Sequence, residues 1–179
     1  MEEDIVIRLE TLSEKEILGY AIASEEDAKA FYLKLGEGKG ELIQNFFKDL
    51  AKAEEAHKTL LLNLHKKLFG NENYITPKGI PFLESTINVV TLGSMVEAMK
   101  TALMNEKVAE RVYKLLAKRF PEHKALFEFL ATQERAHYNS IKAHEEYLEG
   151  IIREKPDYVD VPVHVLFNQL EIHYKPRVL

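Results

Sequence analysis

The chain has 179 residues, 46% of them hydrophobic and 30% charged, with a net charge of −5, seven histidines and no cysteine. That length suits a single domain over residues 1–179, large enough to bury a real core. The acidic balance, with no basic run, excludes nucleic acid as the main partner, and no apolar stretch approaches the ~20 residues of a membrane span. Without cysteine there are no disulfides, zinc knuckles or iron–sulfur clusters within this chain. The opening Met1-Glu2-Glu3-Asp4 is no signal peptide, so the expected compartment is the cytoplasm.

Taken in order, Ser13 and Glu16 form a capping box that opens a first helix, whose apolar residues Leu18, Ala21, Ile22, Ala28, Tyr32 and Leu35 recur every three or four positions. Three glycines within 36–40 end it. A second helix is expected from about Glu41 to Phe69, with Phe47, Leu50, Leu61, Leu64 and Leu68 inward and Gly70 as its stop. Residues 70–91 contain Pro77, Gly79 and Pro81 and keep no helical period. Extended, such a stretch reaches roughly 70 Å, enough to run the length of a helix bundle. A third helix follows over about 92–118, with Met95, Met99, Leu103, Ala109, Tyr113 and Leu116 on one face. Pro121 marks the start of a fourth, which runs to about Arg153 with Leu130, Ile141 and Leu148 inward. In the tail, 154–179, Val159, Val161, Val163 and Val165 alternate like a strand, Pro162 interrupts them, and His164–Glu171 has the pattern of a short helix. The tail is expected to strap across the bundle or a partner subunit.

Chemistry enters with two Glu-x-x-His pairs, Glu54/His57 and Glu134/His137, each sharing one helix face. A chain this rich in glutamate contains about one such pair by chance, so a single pair decides nothing. The companions decide. Glu25-x-x-Ala28-x-x-x-Tyr32 recurs as Glu106-x-x-Ala109-x-x-x-Tyr113, 81 residues on, and the two Glu-x-x-His pairs are 80 apart. The chain is a duplicated helical hairpin. In an antiparallel hairpin, residues equidistant from the turn lie level. The midpoint of 25 and 54 is 39.5, within the glycine turn, and that of 106 and 134 is 120, beside Pro121. Glu25 therefore faces Glu54, and Glu106 faces Glu134.

Four carboxylates and two imidazoles at one level of a bundle interior need counter-charge, because each buried ion costs several kcal/mol to desolvate. Two divalent cations would balance four glutamates, and an oxygen and nitrogen shell without thiolate suits Fe, Mn or Zn. Tyr32 and Tyr113 lie two turns beyond Glu25 and Glu106, placed either as core aromatics or as hydrogen-bond donors to a ligand glutamate on a neighbouring helix. Glu26, Asp27 and Glu55 read as solvated. His65, His123, His144, His164 and His173 have no partner at ligand spacing and read as surface residues.

This pattern resembles the ferritin-like di-iron carboxylate superfamily. Leu12-Ser13-Glu14-Lys15-Glu16-Ile17-Leu18, continuing to Glu25 and Tyr32, resembles the opening of its rubrerythrin and erythrin branch. The similarity spans roughly residues 12–150. It implies an all-α, ferritin-like four-helix bundle (about 13–153) with a long crossover between the second and third helices and a C-terminal strap. It also implies two iron ions, with Glu25 and His57 terminal on one, Glu106 and His137 terminal on the other, and Glu54 and Glu134 bridging. The implied activity is Fe(II) oxidation coupled to reduction of hydrogen peroxide or dioxygen. Iron storage or transfer without turnover, and a manganese catalase-like reaction, are the alternatives. Rubrerythrins proper also carry a rubredoxin-like domain held by Cys-ligated iron. With no Cys here, an external electron donor such as a rubredoxin-like protein is expected. They carry a further glutamate three residues after the third-helix ligand, where this chain has Ala109, with Glu110 turned about 100° away. The family's habit and the apolar Leu60-Leu61-Leu62 run imply a homodimer or higher homo-oligomer.

Overall fold

The structure is a computed structural model that describes residues 7–78, 80 and 89–166. Its frame is four long helices: α1 (Glu14–Gly36), α2 (Glu41–Phe69), α3 (Leu92–Arg119) and α4 (Lys124–Glu154). The capping box opens α1 as expected. The Ser13 hydroxyl accepts from the Glu16 backbone N–H, and the Glu16 carboxylate accepts from Ser13 N. Glycine is required at two turns, since Gly38 (φ 68°) and Gly70 (φ 81°) both hold left-handed backbone, the second closing α2. A 3₁₀ turn, Pro121–His123, precedes α4, so the proline break becomes one tight turn and the helix starts at Lys124.

α1 pairs with α2 and α3 with α4, and α1 also packs on α3. Two apolar clusters fill the interior at opposite ends. One joins Phe31, Leu35, Phe47, Met95, Met99 and Ile141, and the other joins Ile17, Ile22, Leu61, Val112, Leu116 and Phe127. Their membership shows that α2 and α3 run parallel, so Gly70, which ends α2, and Thr91, which caps α3, lie at opposite ends of the bundle. The connection between them presses on α1 at its start, where a Cβ at Gly19 would overlap the Ile75 carbonyl. At its end the Lys39 ammonium donates to the Val89 carbonyl, and Thr91 caps α3 with Ser94. Residues 79 and 81–88 lie outside the described set.

The strand-like reading of the tail is corrected. Pro156–Asp160 is a 3₁₀ helix, residues 163–166 are helical, and the extended residues make a single bridge, Thr91 to Pro162. Pro162 breaks the donor pattern, and among the described residues no strand lies alongside to build a ladder. The tail still lies across the start of α3: Leu92 N donates to Val161 O (2.9 Å) and Val163 N to Val90 O (3.1 Å), while Val159 packs on Gly93. The expected helix His164–Glu171 lies outside the described residues beyond 166, as does His173. Leu68, expected inward on α2, is 37% exposed in the last turn of the helix. Among the described residues no helix is long and apolar enough to cross a membrane.

Candidate metal centre

Glu25 and Glu106 stand mid-helix on α1 and α3, and Glu54/His57 and Glu134/His137 on α2 and α4. All six side chains are buried at one level, between the two apolar clusters. Ligand-capable atoms gather into two groups. Glu25, Glu54, His57 and Glu134 offer atoms within 4.8 Å of one another, as do Glu54, Glu106, Glu134 and His137. Glu54 and Glu134 belong to both groups. Each hairpin thus reaches across to the other. His57 Nδ1 lies 2.9 Å from Glu134 Oε1, 3.2 Å from Glu54 Oε2 and 3.4 Å from Glu25 Oε2. His137 Nδ1 lies 3.1 Å from Glu54 Oε1 and 3.6 Å from Glu106 Oε2. The two imidazoles stack with centroids 5.5 Å apart.

The tyrosines cross over in the same way. Tyr32 on α1 donates to Glu106 on α3, and Tyr113 on α3 donates to Glu25 on α1. Each phenol holds one carboxylate oxygen and leaves the other free to face the imidazole. Burial, reinforced by those carboxylates, pushes both phenols well above their ordinary pKa, so they remain donors at any working pH. Tyr113→Phe or Tyr32→Phe is expected to lower affinity for divalent metal about 10- to 100-fold, measured by competition with a chelator, because the carboxylate loses its orienting bond.

Protons share out unevenly in the protein alone. Burial, then the charges of Glu134 and Glu54, raise Glu25 well above the carboxylate range; burial and Glu134 do the same to Glu106. Burial would raise Glu54 too, but the adjacent His137 and His57 imidazoles outweigh it and bring it to about 2. Burial opposes charge on the histidines, yet the surrounding carboxylates prevail. Glu134, Glu25 and Glu54 raise His57 to about 12, and Glu106, Glu134 and Glu54 raise His137 to about 12. Protons occupy the place of a cation. Even so, Glu25 Oε2, Glu54 Oε1, Glu106 Oε2, Glu134 Oε1 and His137 Nδ1 are buried with no well-aligned hydrogen bond, the imidazoles approaching these oxygens only as ion pairs. Buried polar atoms left so are costly, and five converging on one point fit a metal pair.

The outer surface of each hairpin is tied beside the cluster. Lys58 on α2 pairs with Glu26 on α1 (3.1 Å), and Tyr74 also donates to Glu26 (3.1 Å). At the positions related by the duplication, the Lys107 ammonium sits 5.1 Å over the Tyr138 ring. Between α1 and α3, a cavity of about 50 Å³ reaches Glu25, Glu54, Glu106 and Glu134, and Ala28, Ala109 and Val112 are among the residues that line it. Ala109 faces this cavity; Glu110 does not line it and instead pairs with Lys114 (2.5 Å).

Some residues were misplaced by sequence reasoning. His65 is completely buried, with Nδ1 2.7 Å from the Asn71 carbonyl and its ring against Phe69, because the turn after α2 folds back over it. His123 and His144 are half-buried, the latter stacked on Phe46 with centroids 4.0 Å apart, while His164 is exposed. Asp27 is half-buried and lines the α1–α3 cavity with Ser24 and Asn105. The 81-residue offset that relates Ser24 to Asn105 was the available signal for that pair. Glu145, passed over in the sequence, is buried against Lys142 (2.8 Å).

The rubrerythrin family model matches residues 16–145, more than half of the chain, with all six clustered residues inside the match. The chain belongs to the rubrerythrin family. A hypothetical protein from Pyrococcus furiosus has a similar structure, with a TM-score of 0.75 and 28% identity, over 81% of this chain and 96% of that one. No curated protein matches the chain. Within the rubrerythrin family the buried Glu and His cluster is compatible with a di-iron site, and its two groups could each hold a metal ion.

Proposed function

We propose that this protein is a non-haem di-iron oxidoreductase that oxidises Fe(II) while reducing hydrogen peroxide or dioxygen. One observation carries the reading: two four-residue groups share Glu54 and Glu134, an arrangement that suits two adjacent ions better than two separate sites. Glu25 with His57 and Glu106 with His137 would hold the outer sides of the pair, and Glu54 and Glu134 would bridge it. A pair of Fe(II) ions bound there supplies one electron each, and with two protons that suffices to convert hydrogen peroxide to two waters.

The chain's own residues prepare the site for that chemistry. Tyr32 and Tyr113 orient Glu106 and Glu25 from across the bundle. The apolar clusters above and below keep bulk water from the ligands, which strengthens every charge interaction inside. Re-reduction draws on an external donor such as a rubredoxin-like protein, since the chain carries no cysteine to hold an iron of its own.

Loading the metal must expel the protons that occupy the cluster. At pH 7 His57 and His137, both raised to about 12, each carry a proton that a metal ion must displace, so two divalent ions are expected to release at least about two protons per chain. Titration of chelator-treated protein in weak buffer with a pH indicator measures this, and release of one proton or none would contradict ligation by both histidines. The functional test is anaerobic loading followed by peroxide. One peroxide should oxidise two Fe(II), and turnover should continue when a reductant is supplied. A single round of oxidation that no reductant can repeat would indicate a store, and loss of peroxide without any reductant would indicate manganese catalase chemistry.

A further inference from the structure

We infer that the α1–α3 cavity is the door through which the oxidant reaches the centre, and that Ala28 and Ala109 set its width, so that hydrogen peroxide and dioxygen enter and bulky organic hydroperoxides do not. This rests on the oxidoreductase reading and names the substrate class of that same site. Ala28 and Ala109 stand one turn beyond Glu25 and Glu106 and are related by the same 81-residue offset, so both open onto the gap beside the carboxylates. Ser24, Asp27 and Asn105 make part of the lining polar, and Val112 supplies an apolar wall.

Size decides the selectivity. The cavity measures about 50 Å³, roughly a third of the ~150 Å³ of a cavity that takes up benzene, a ligand of six heavy atoms. A two-atom oxidant fits with a water beside it. The six heavy atoms of tert-butyl hydroperoxide do not. The three heavy atoms that Ala→Leu adds would fill most of the space, whereas Val112→Ala would widen it.

The test has a binding arm and a reaction arm. In the first, the full chain loaded with Co(II) is titrated with azide and with pivalate, and visible absorption is followed. Azide is expected to bind the unaltered protein and pivalate is not. Ala28→Leu and Ala109→Leu should weaken azide at least tenfold while two Co(II) per chain are retained, and Val112→Ala should admit pivalate. Should either leucine variant fail to fold, Ala→Val at the same position and Val112→Ala carry the same comparison. Unchanged azide affinity in both narrowed variants, or pivalate binding as tightly as azide to the unaltered protein, overturns the proposal. In the second arm the Fe(II)-loaded protein should react at least 100-fold faster with hydrogen peroxide than with tert-butyl hydroperoxide, and Val112→Ala should narrow that ratio tenfold. Equal rates with both oxidants overturn the size limit and leave the oxidoreductase reading standing. The expected azide and pivalate pattern with no oxidation by any oxidant does the reverse.

Discussion

Glu54→Ala or Glu134→Ala is expected to abolish metal binding at both positions, taking the content from about two ions per chain to near zero, while Glu25→Ala or Glu106→Ala retains about one. The asymmetry follows from membership. Glu54 and Glu134 belong to both ligand groups, whereas Glu25 and Glu106 each belong to one. Glu54 makes the point in atomic detail, with Oε2 3.2 Å from His57 and Oε1 3.1 Å from His137. Its removal takes one bond from each ion and leaves three carboxylates against two dications. Elemental analysis after dialysis against a weak chelator reads the result, with circular dichroism to show that the helices persist. Should Glu54→Ala keep one tight ion while Glu25→Ala loses both, the bridging and terminal roles are exchanged.

The second large effect is an opposition between the metal-loaded and metal-free proteins as pH changes. In the metal-free protein, His57 and His137 are raised to about 12 from an unfolded value of 6.5, and Glu25 and Glu106 are raised well above 4.5. Groups raised on folding give stability that is fully present below their unfolded pKa and is lost as pH climbs towards the folded one. Glu54, lowered to about 2, contributes above 4.5 and loses that contribution as pH falls through 2. The cluster therefore favours the metal-free fold most at acidic pH, and its contribution shrinks from pH 4.5 upwards through Glu25 and Glu106 and from pH 6.5 upwards through the two histidines as well. Metal ligation requires neutral imidazole and ionised carboxylate, so its contribution moves the other way. Between pH 6.5 and 9 the Tm of the metal-free protein should fall by about 5 °C or more, while that of the metal-loaded protein holds or rises. Parallel profiles for the two forms would rule out His57 and His137 as ligands.

Much of this was legible in the linear chain because helices and internal duplication leave periodic traces. The 81-residue echo of Glu25 and Tyr32 in Glu106 and Tyr113, with the glycine turn and Pro121 at the two midpoints, was enough to put six residues at one height, where the structure has them. Capping at Ser13 and the stop at Gly70 were local matters, decided by side-chain oxygen and backbone handedness, and such signals need no tertiary knowledge. His65 shows the limit: its burial comes from a turn folding back to offer the Asn71 carbonyl, which no spacing within α2 announces. The valines from 159 to 165 alternate as a strand does, but an alternating segment becomes a sheet only beside another strand, and here it meets the capped end of α3. The crossing of Tyr32 to Glu106 and Tyr113 to Glu25, and the cavity bounded by Ala28 and Ala109, arise between helices. Periodicity along one helix says which face a residue occupies. Only the packing of α1 against α3 decides what that face meets, because the reach of a phenol and the width of a gap depend on how far apart the two helices lie.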